Sequence, residues 1–380
     1  MGKVKGHKPK LSKKFHPFVS VCTPTFNRRP FIEMMFECFR NQTYPKDRME
    51  WIIVDDGSDK IEDLIQSSNI EQIKYYKVDK KMSLGEKRNY MHKFVKGTII
   101  VYMDDDDYYP PERVSHAVDK LQQNKEAMCA GSSEIYVYFK HIQRMYQFGP
   151  YGPNHATAGT FAFRTELLKS TSYEDHAALA EEKKFLKNYT VPFVQLDPLK
   201  SILVFSHIHN TFDKRNLLKN NPNPTFTKES PVKVDDFIKL EKEAPIKDFF
   251  MNKIDDLLNV YKPGEPENKP DVMEQMKKIE MERAEMALKQ QKDQQERQKN
   301  MTITMNNSDG KSIKMTLEEM NKLFNHQKME MEKMNKINEN LENMVFQLQR
   351  QLAIKSEELV NIKQEEKVEV KSKIEPDVIN

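Results

Sequence analysis

The chain has 380 residues, with 61 Lys and Arg against 58 Asp and Glu and a formal net charge of +3. Lysines alternate with glutamates along most of it instead of gathering into a basic stripe, which argues against a nucleic-acid partner. Three cysteines at spacings that match no metal-binding pattern suit a reduced compartment, and no apolar run is long enough to be a transmembrane segment.

Residues 1–17 are basic and lack the apolar core of a signal peptide, so they read as a disordered arm and the protein is expected to be cytoplasmic. A bias toward Asn, Lys, Ile and Met hints at an AT-rich genome. If that genome is viral, the location becomes host cytoplasm or virion.

From Phe18 to Phe212 short apolar runs alternate with amphipathic stretches, the pattern of an α/β domain with a largely parallel sheet. "FVSVCTPTFN" predicts a first strand that runs into a turn at Pro24. In "RPFIEMMFECFRNQ", Ile32, Met35, Phe36 and Phe39 fall at helical spacing. "MEWIIVDDGSD" and "QIKYYKVD" predict strands separated by the short helix "IEDLIQSSN". "SLGEKRNYMHKFVK" predicts a helix with Leu84, Met91 and Phe94 inward, and "GTIIVYM" a fourth strand.

"ERVSHAVDKLQQN" returns as a helix, and "AMCAGSSEIYVYF" reads as one extended stretch. "ATAGTFAFR", a helical "AALAEEKKFLKNY", "PFVQLD" and "SILVFSHIHN" suggest a mixed extension of the sheet. Residues 214–269 are turn-rich and read as a linker with a helical appendage.

Beyond Pro270 the composition shifts to Glu, Lys, Met and Gln. A long helix leads to a hairpin over 301–315 around Asn-Ser-Asp-Gly, and Thr316 with Glu319 forms a capping box that opens another helix. Over 316–364, Met320, Leu323, Met334, Ile337, Leu341, Met344 and Leu348 alternate three and four apart. Gln327 and Glu330 interrupt the seam and Leu352 falls one residue late. A coiled coil that makes the protein a homo-oligomer is expected.

Chemistry concentrates where strands end in acid. After the fourth strand stand Asp104, Asp105, Asp106 and Asp107, whose mutual repulsion demands a positive partner. Hard carboxylate oxygens suit Mn²⁺ or Mg²⁺, and such an ion can act as a Lewis acid for a phosphate leaving group. Asp55 and Asp56 end the second strand. Arg88 lies on the helix before the aspartates, and carboxyl ends of strands are where ligands bind in open α/β sheets.

The order "VSVCTPTFNR", "WIIVDDGSD", "SLGEKRNYMHKFVKGTIIVYMDDDDYYPPERV" resembles the nucleotide-sugar-binding half of family 2 glycosyltransferases with the GT-A fold. The resemblance covers about residues 18–120 and implies an α/β fold with a mixed, mainly parallel sheet flanked by helices, spanning 18–213 and followed by a helical, coiled-coil tail over 270–380. It implies a metal-dependent, inverting transferase that uses a nucleotide-sugar donor, with a UDP-sugar favoured. The acceptor would be a hydroxyl of a glycan, protein or lipid.

By position, Pro24, Thr25 and Phe26 would line the nucleotide pocket and Asp56 would contact the base. Arg88 would sit near the nucleotide, Asp105 near the ribose, and Asp106 on the metal. Asp104 is a stand-in for either neighbour, since the register can slip by one.

The family's catalytic base stands at the head of a helix in an acidic pair. Here Glu181 and Glu182 are favoured, with Glu182 as the base, and Asp175 of "YEDH" comes next. His207 and His209 alternate along the last strand and are candidate third metal ligands or diphosphate contacts. A nucleotidyltransferase would need a Gly-rich loop after the first strand, and "TPTFNRRP" has none. The remaining alternative is a degenerate transferase domain that serves as a binding module on a coiled-coil scaffold.

Overall fold

A computed structural model describes residues 15–177, 182–210, 213–218, 223–306 and 312–372. The chain falls into two compact units, residues 1–280 and 281–380.

In the first unit the N-terminal half forms β1 (Val19–Thr25), α1 (Ile32–Arg40), β2 (Met49–Asp55), α2 (Glu62–Ser67), β3 (Ile73–Lys77), α3 (Leu84–His92), β4 (Ile99–Tyr102) and α4 (Arg113–Gln123). β1, β2 and β4 are buried along their whole length, which explains their near-continuous apolar sequences. α1 buries Ile32, Met35, Phe36 and Phe39 as its spacing requires.

Then follow β5 (Cys129–Gly131), β6 (Ile135–Phe139), β7 (Arg144–Phe148), β8 (Ala162–Arg164), α5 (Glu182–Phe185), β9 (Phe193–Gln195), β10 (Leu203–Ser206) and β11 (Thr227–Glu229). Seven strands make one sheet in the order β3-β2-β1-β4-β8-β5-β9. β1 to β4 pair in parallel, and β8 runs antiparallel to both β4 and β5. The order reverses between β1 and β4, which opens a crevice at their carboxyl ends.

"AMCAGSSEIYVYF", expected as one extended stretch, is two strands in two sheets. β5 stays in the main sheet, and after Ser132–Glu134 the chain enters a second sheet ordered β10-β6-β7-β11. The second sheet reaches the acidic run through a bridge between Tyr108 and Leu203, with paired backbone bonds of 3.0 and 2.9 Å.

Two ties fix the carboxyl ends of the central strands. Trp51 is fully buried, stacks on Phe39 at 4.3 Å and donates Nε1–H to Thr23 Oγ1 at 2.9 Å, and that hydroxyl donates to the Met103 carbonyl at 2.6 Å. Arg113, equally buried, donates Nη2–H to the Tyr102 and Phe161 carbonyls at 3.1 and 2.8 Å. β1, β2 and β4 are thereby locked together immediately below the aspartates.

The segment read as a linker packs into the first unit. α6 (Val234–Phe237), α7 (Ala244–Asp248) and α8 (Ile254–Val260) follow β11, and Ile246, Phe249, Phe250, Ile254 and Leu258 join the main core. Phe250 stacks on Phe205 of β10 at 4.4 Å.

α9 (Pro270–Asn300) is the expected long helix, and the first unit ends within it at Glu280. In the second unit β12 (Thr302–Asn306) pairs antiparallel with β13 (Ser312–Thr316); the Asn-Ser-Asp-Gly turn lies outside the described residues. α10 (Leu317–Ser372) opens on the predicted capping box, with the Glu319 N–H donating to Thr316 Oγ1 at 3.2 Å and the Thr316 N–H to Glu319 Oε2 at 2.8 Å. Ile337, Leu341, Met344 and Leu348 on α10 are all exposed. Among the described residues no helix is long and apolar enough to cross a membrane.

Candidate functional site

A pocket opens at the β1/β4 crevice, lined among others by Pro24, Phe26, Arg28, Arg88, Asp104, Asp105 and Asp106. The positive partner that the four aspartates require is Arg28, from the turn after β1. Its guanidinium Nε lies 3.5 Å from Asp105 Oδ1 and its Nη2 3.1 Å from Asp106 Oδ2, while Nη1 donates to the His209 carbonyl at 2.6 Å. Sequence reasoning did not single out Arg28, although its place in "TPTFNR" between a strand end and a helix was the available signal.

The four carboxyls are not equivalent. Burial pushes Asp105 up to about 7, opposed by Arg28 and reinforced by Asp106. Burial works against ionisation of Asp106 too, but Arg28 and a hydrogen bond from His207 outweigh it and hold that carboxyl well below the usual range. Asp107 is buried beside Asp106 and is pushed well above the usual range by burial and by that neighbour. Asp104 keeps part of its side chain exposed, donates its backbone N–H to Tyr109 at 2.8 Å and lies 3.9 Å from Arg88 Nη2.

His207 and His209 do not alternate along a strand, because β10 ends at Ser206 and both residues belong to the turn after it. His207 Nε2 sits 3.2 Å from Asp106 Oδ2, and burial lowers the imidazole to about 3. His209 turns away toward Tyr261 and Gly264, and its ring nitrogens have no hydrogen-bond partner among the described residues. A third-ligand role for His209 therefore has no geometric basis.

Do these residues fit Mn²⁺ or Mg²⁺? The oxygen donors are of the right kind, but Arg28 lies on the two carboxylates an ion would use. Among the described residues no group of three ligating side chains converges. In this arrangement the residues do not fit a divalent ion.

On the β2 side, Asp56 pairs with Lys87 and accepts the Met82 N–H at 2.6 Å. It is not among the residues that line the pocket, so the expected contact with a base does not follow from its position. Thr25 is also behind the wall, with its carbonyl accepting Lys87 Nζ at 2.9 Å. Phe26 stands on the wall with Lys81 and Lys87 over its ring at 5.2 and 5.6 Å. α3 was expected to turn Leu84, Met91 and Phe94 inward. Of these only Met91 is fully buried, and Phe94 follows the end of the helix; α3 instead buries Lys87 and Arg88, and Arg88 stacks over Tyr102 at 4.8 Å.

Glu182 opens α5 and is half-buried, and its Oε1 accepts the Ala158 N–H at 3.2 Å. The next residue, Gly159, is pressed against the acidic run: a Cβ there would meet Asp104 Oδ2 at 2.8 Å. The turn around Gly159 thus joins Glu182 to the aspartates. Asp175 is exposed and accepts Asn89 Nδ2–H at 2.7 Å, latching its loop to α3. Glu181 lies outside the described residues.

A strap completes the pocket from the stretch expected to be a linker. Asn27 Nδ2–H donates to the Pro263 carbonyl at 2.8 Å, and Tyr261 O–H to Asp59 at 2.8 Å. Lys269, Asp271 and Val272 line the pocket, with Asp271 paired to Lys81.

The family model described as glycosyl transferase family 2 matches residues 20–185, the segment that carries Arg28, the aspartates and Glu182. Residues 20–185 thus resemble a family 2 glycosyltransferase domain. An uncharacterized glycosyltransferase of Rickettsia bellii is 30% identical over 125 residues, which is 32% of this chain and 18% of that protein. A dolichyl N-acetyl-alpha-D-glucosaminyl phosphate 3-beta-D-2,3-diacetamido-2,3-dideoxy-beta-D-glucuronosyltransferase of Methanococcus voltae is 35% identical over 85 residues, 21% of this chain and 24% of that protein. The chain thus spans about a fifth of the length of these curated relatives. Among solved structures, S. aureus TarS 1–349 in complex with UDP-GlcNAc aligns at 18% identity and a TM-score of 0.39, over 62% of this chain and 70% of that one. Outside the matched segment lie His207 and the whole strap, which nevertheless meet the pocket.

Proposed function

We propose that the protein transfers a sugar from a nucleotide diphosphate sugar, a UDP-sugar by preference, to a hydroxyl of a glycan, protein or lipid acceptor, with inversion at the anomeric carbon. What carries this reading is the charged pocket at the β1/β4 crevice, lined for the most part by the family-matched segment. Pro24 and Phe26 would flank the nucleotide, Asp105 or Asp104 would take the ribose, and Arg88 would face the phosphates.

Glu182 removes the acceptor proton as that oxygen attacks the anomeric carbon. The bond from that carbon to the diphosphate breaks, and the nucleoside diphosphate leaves with the electron pair. Cations on the pocket wall stabilise the charge that develops on it. Rigid mounting of both partners supplies the orientation that such a displacement requires. Mn²⁺ or Mg²⁺ on Asp106 would need Arg28 to give way first, so no step runs through the ion.

The test is a panel of UDP- and GDP-linked sugars followed by release of nucleoside diphosphate. Release by the wild type, lost in Glu182→Gln with nucleotide binding retained, is the expected result. If no donor binds and none is consumed, the enzyme reading fails and the non-catalytic binding module takes its place.

The exposed seam of α10 supports a homo-oligomer formed through that helix. Light scattering on Ile337→Lys with Leu341→Lys should report a smaller particle than the wild type. An unchanged mass would remove α10 as the contact.

A further inference from the structure

The cations lining the pocket are Arg28, Lys81, Lys87, Arg88 and Lys269. Four of them face carboxylates: Arg28 faces Asp105 and Asp106, Lys81 faces Asp271, Lys87 faces Asp56, and Arg88 lies 3.9 Å from Asp104. Lys269 differs. It is 5% exposed, and among the described residues its Nζ reaches a single acceptor, the His209 carbonyl, at 3.5 Å. Burial pushes its ammonium well below the usual lysine range, and Arg28 adds to that while Asp106 and Asp105 oppose it.

A buried ammonium without a close counter-ion is costly, and the cost is recovered only when an anion arrives. The strap fixes where that ammonium stands. Pro263 is tied to Asn27 and Tyr261 to Asp59, and Gly264 packs so closely that a Cβ would meet the Asn27 carbonyl at 2.9 Å. Lys269 lines the same pocket as Arg28, Arg88 and Asp104–Asp106.

We propose that Lys269 is a ligand for the diphosphate of the nucleotide donor, supplied by the strap from outside the family-matched segment. The inference rests on the transferase reading. It adds a residue to the binding site that the first 185 residues do not contain.

Titration calorimetry of the full chain with uridine, UMP and UDP in the presence of Mg²⁺ tests it. A charge-assisted contact predicts that Lys269→Met weakens UDP on the order of tenfold or more and uridine by less than about twofold, with Lys269→Arg recovering most of the loss. Lys269→Gln, which keeps a polar stem, is read in the same way should the Met variant fold poorly. Equal loss for uridine and UDP would mean a purely structural lysine, and unchanged UDP affinity would remove the contact. Either result overturns the inference while leaving the transferase reading in place. If the wild type binds no nucleoside diphosphate at all, both fall.

Discussion

Two strands of one sheet, β2 and β4 on either side of β1, end in acid, and the chain treats them differently. At the end of β2, Asp55 is enclosed by donors: the Gly57 N–H at 2.9 Å, the Ile61 N–H at 3.1 Å and the Tyr75 hydroxyl at 2.6 Å. Asp56 is taken by Lys87 and the Met82 N–H. At the end of β4, Asp104, Asp105 and Asp106 line a pocket and face the side chains of Arg28, Arg88 and His207. Backbone donors next to a carboxylate mark a turn being held, whereas side-chain cations that can be exchanged for a ligand mark a site.

The contrast can be broken most sharply through catalysis. Glu182→Gln should lower transfer by roughly 10²–10⁴-fold with nucleotide affinity kept, while Asp175→Asn, which only loosens the latch to Asn89, should change turnover little. Steady-state kinetics of the two variants decides which acid acts on the acceptor.

Stability comes next. Asp55→Asn gives up charge-assisted bonds from three donors and should cost about 2–4 kcal/mol in urea unfolding. Asp106→Asn should cost less, because it also relieves repulsion from Asp105 and Asp107. A reversed order would show that both runs are architectural.

The floor beneath the β4 run gives a pH signature. His92 packs half-buried against Tyr102, with its Nε2 2.7 Å from the Tyr102 hydroxyl, and desolvation followed by Arg88 lowers its imidazole to about 3. The unfolded chain takes up this proton near pH 6.5 and the folded one does not. This contribution is therefore complete above about pH 6.5 and is lost as pH falls toward 3, at about 1.4 kcal/mol per unit. Chemical denaturation of His92→Gln between pH 4 and 7 should give a flatter dependence than the wild type, on the order of one proton less.

The smallest expected effect concerns the ion. With Arg28 on Asp105 and Asp106, Mn²⁺ alone should leave the wild-type melting temperature in place, while Arg28→Ala should gain a metal-dependent rise of a few degrees. A rise in the wild type equal to that of the variant would show that Arg28 does not compete with the ion.

Much of the first half was legible because its signals are local. β1, β2 and β4 announce themselves as apolar runs, and α1 and α4 by their periodicity. The acidic ends of the strands pointed to the sheet edge where the pocket opens. What stayed hidden depends on distant partners. "AMCAGSSEIYVYF" carries no sign that its two halves join different sheets, since the choice is made by pairing with Phe193–Gln195 and Leu203–Ser206.

Lys87 and Lys269 read as ordinary surface lysines until their burial against Asp56 and His209 is seen. Residues 261–269 have the Pro and Gly content of a linker, yet they hold Asn27 and Asp59, some 200 positions away in sequence.

Gly264 has a practical corollary for anyone who cuts this chain. Its close seat against Asn27 and His209 leaves no room for a side chain, so the strap is fitted to the turn after β1. A fragment trimmed to the family-matched boundary, or stopped near residue 213, would lose one wall of its own pocket. Expression designs and binding screens should therefore run through Glu280, and a negative result from a shorter piece should be blamed on the scissors before the chemistry.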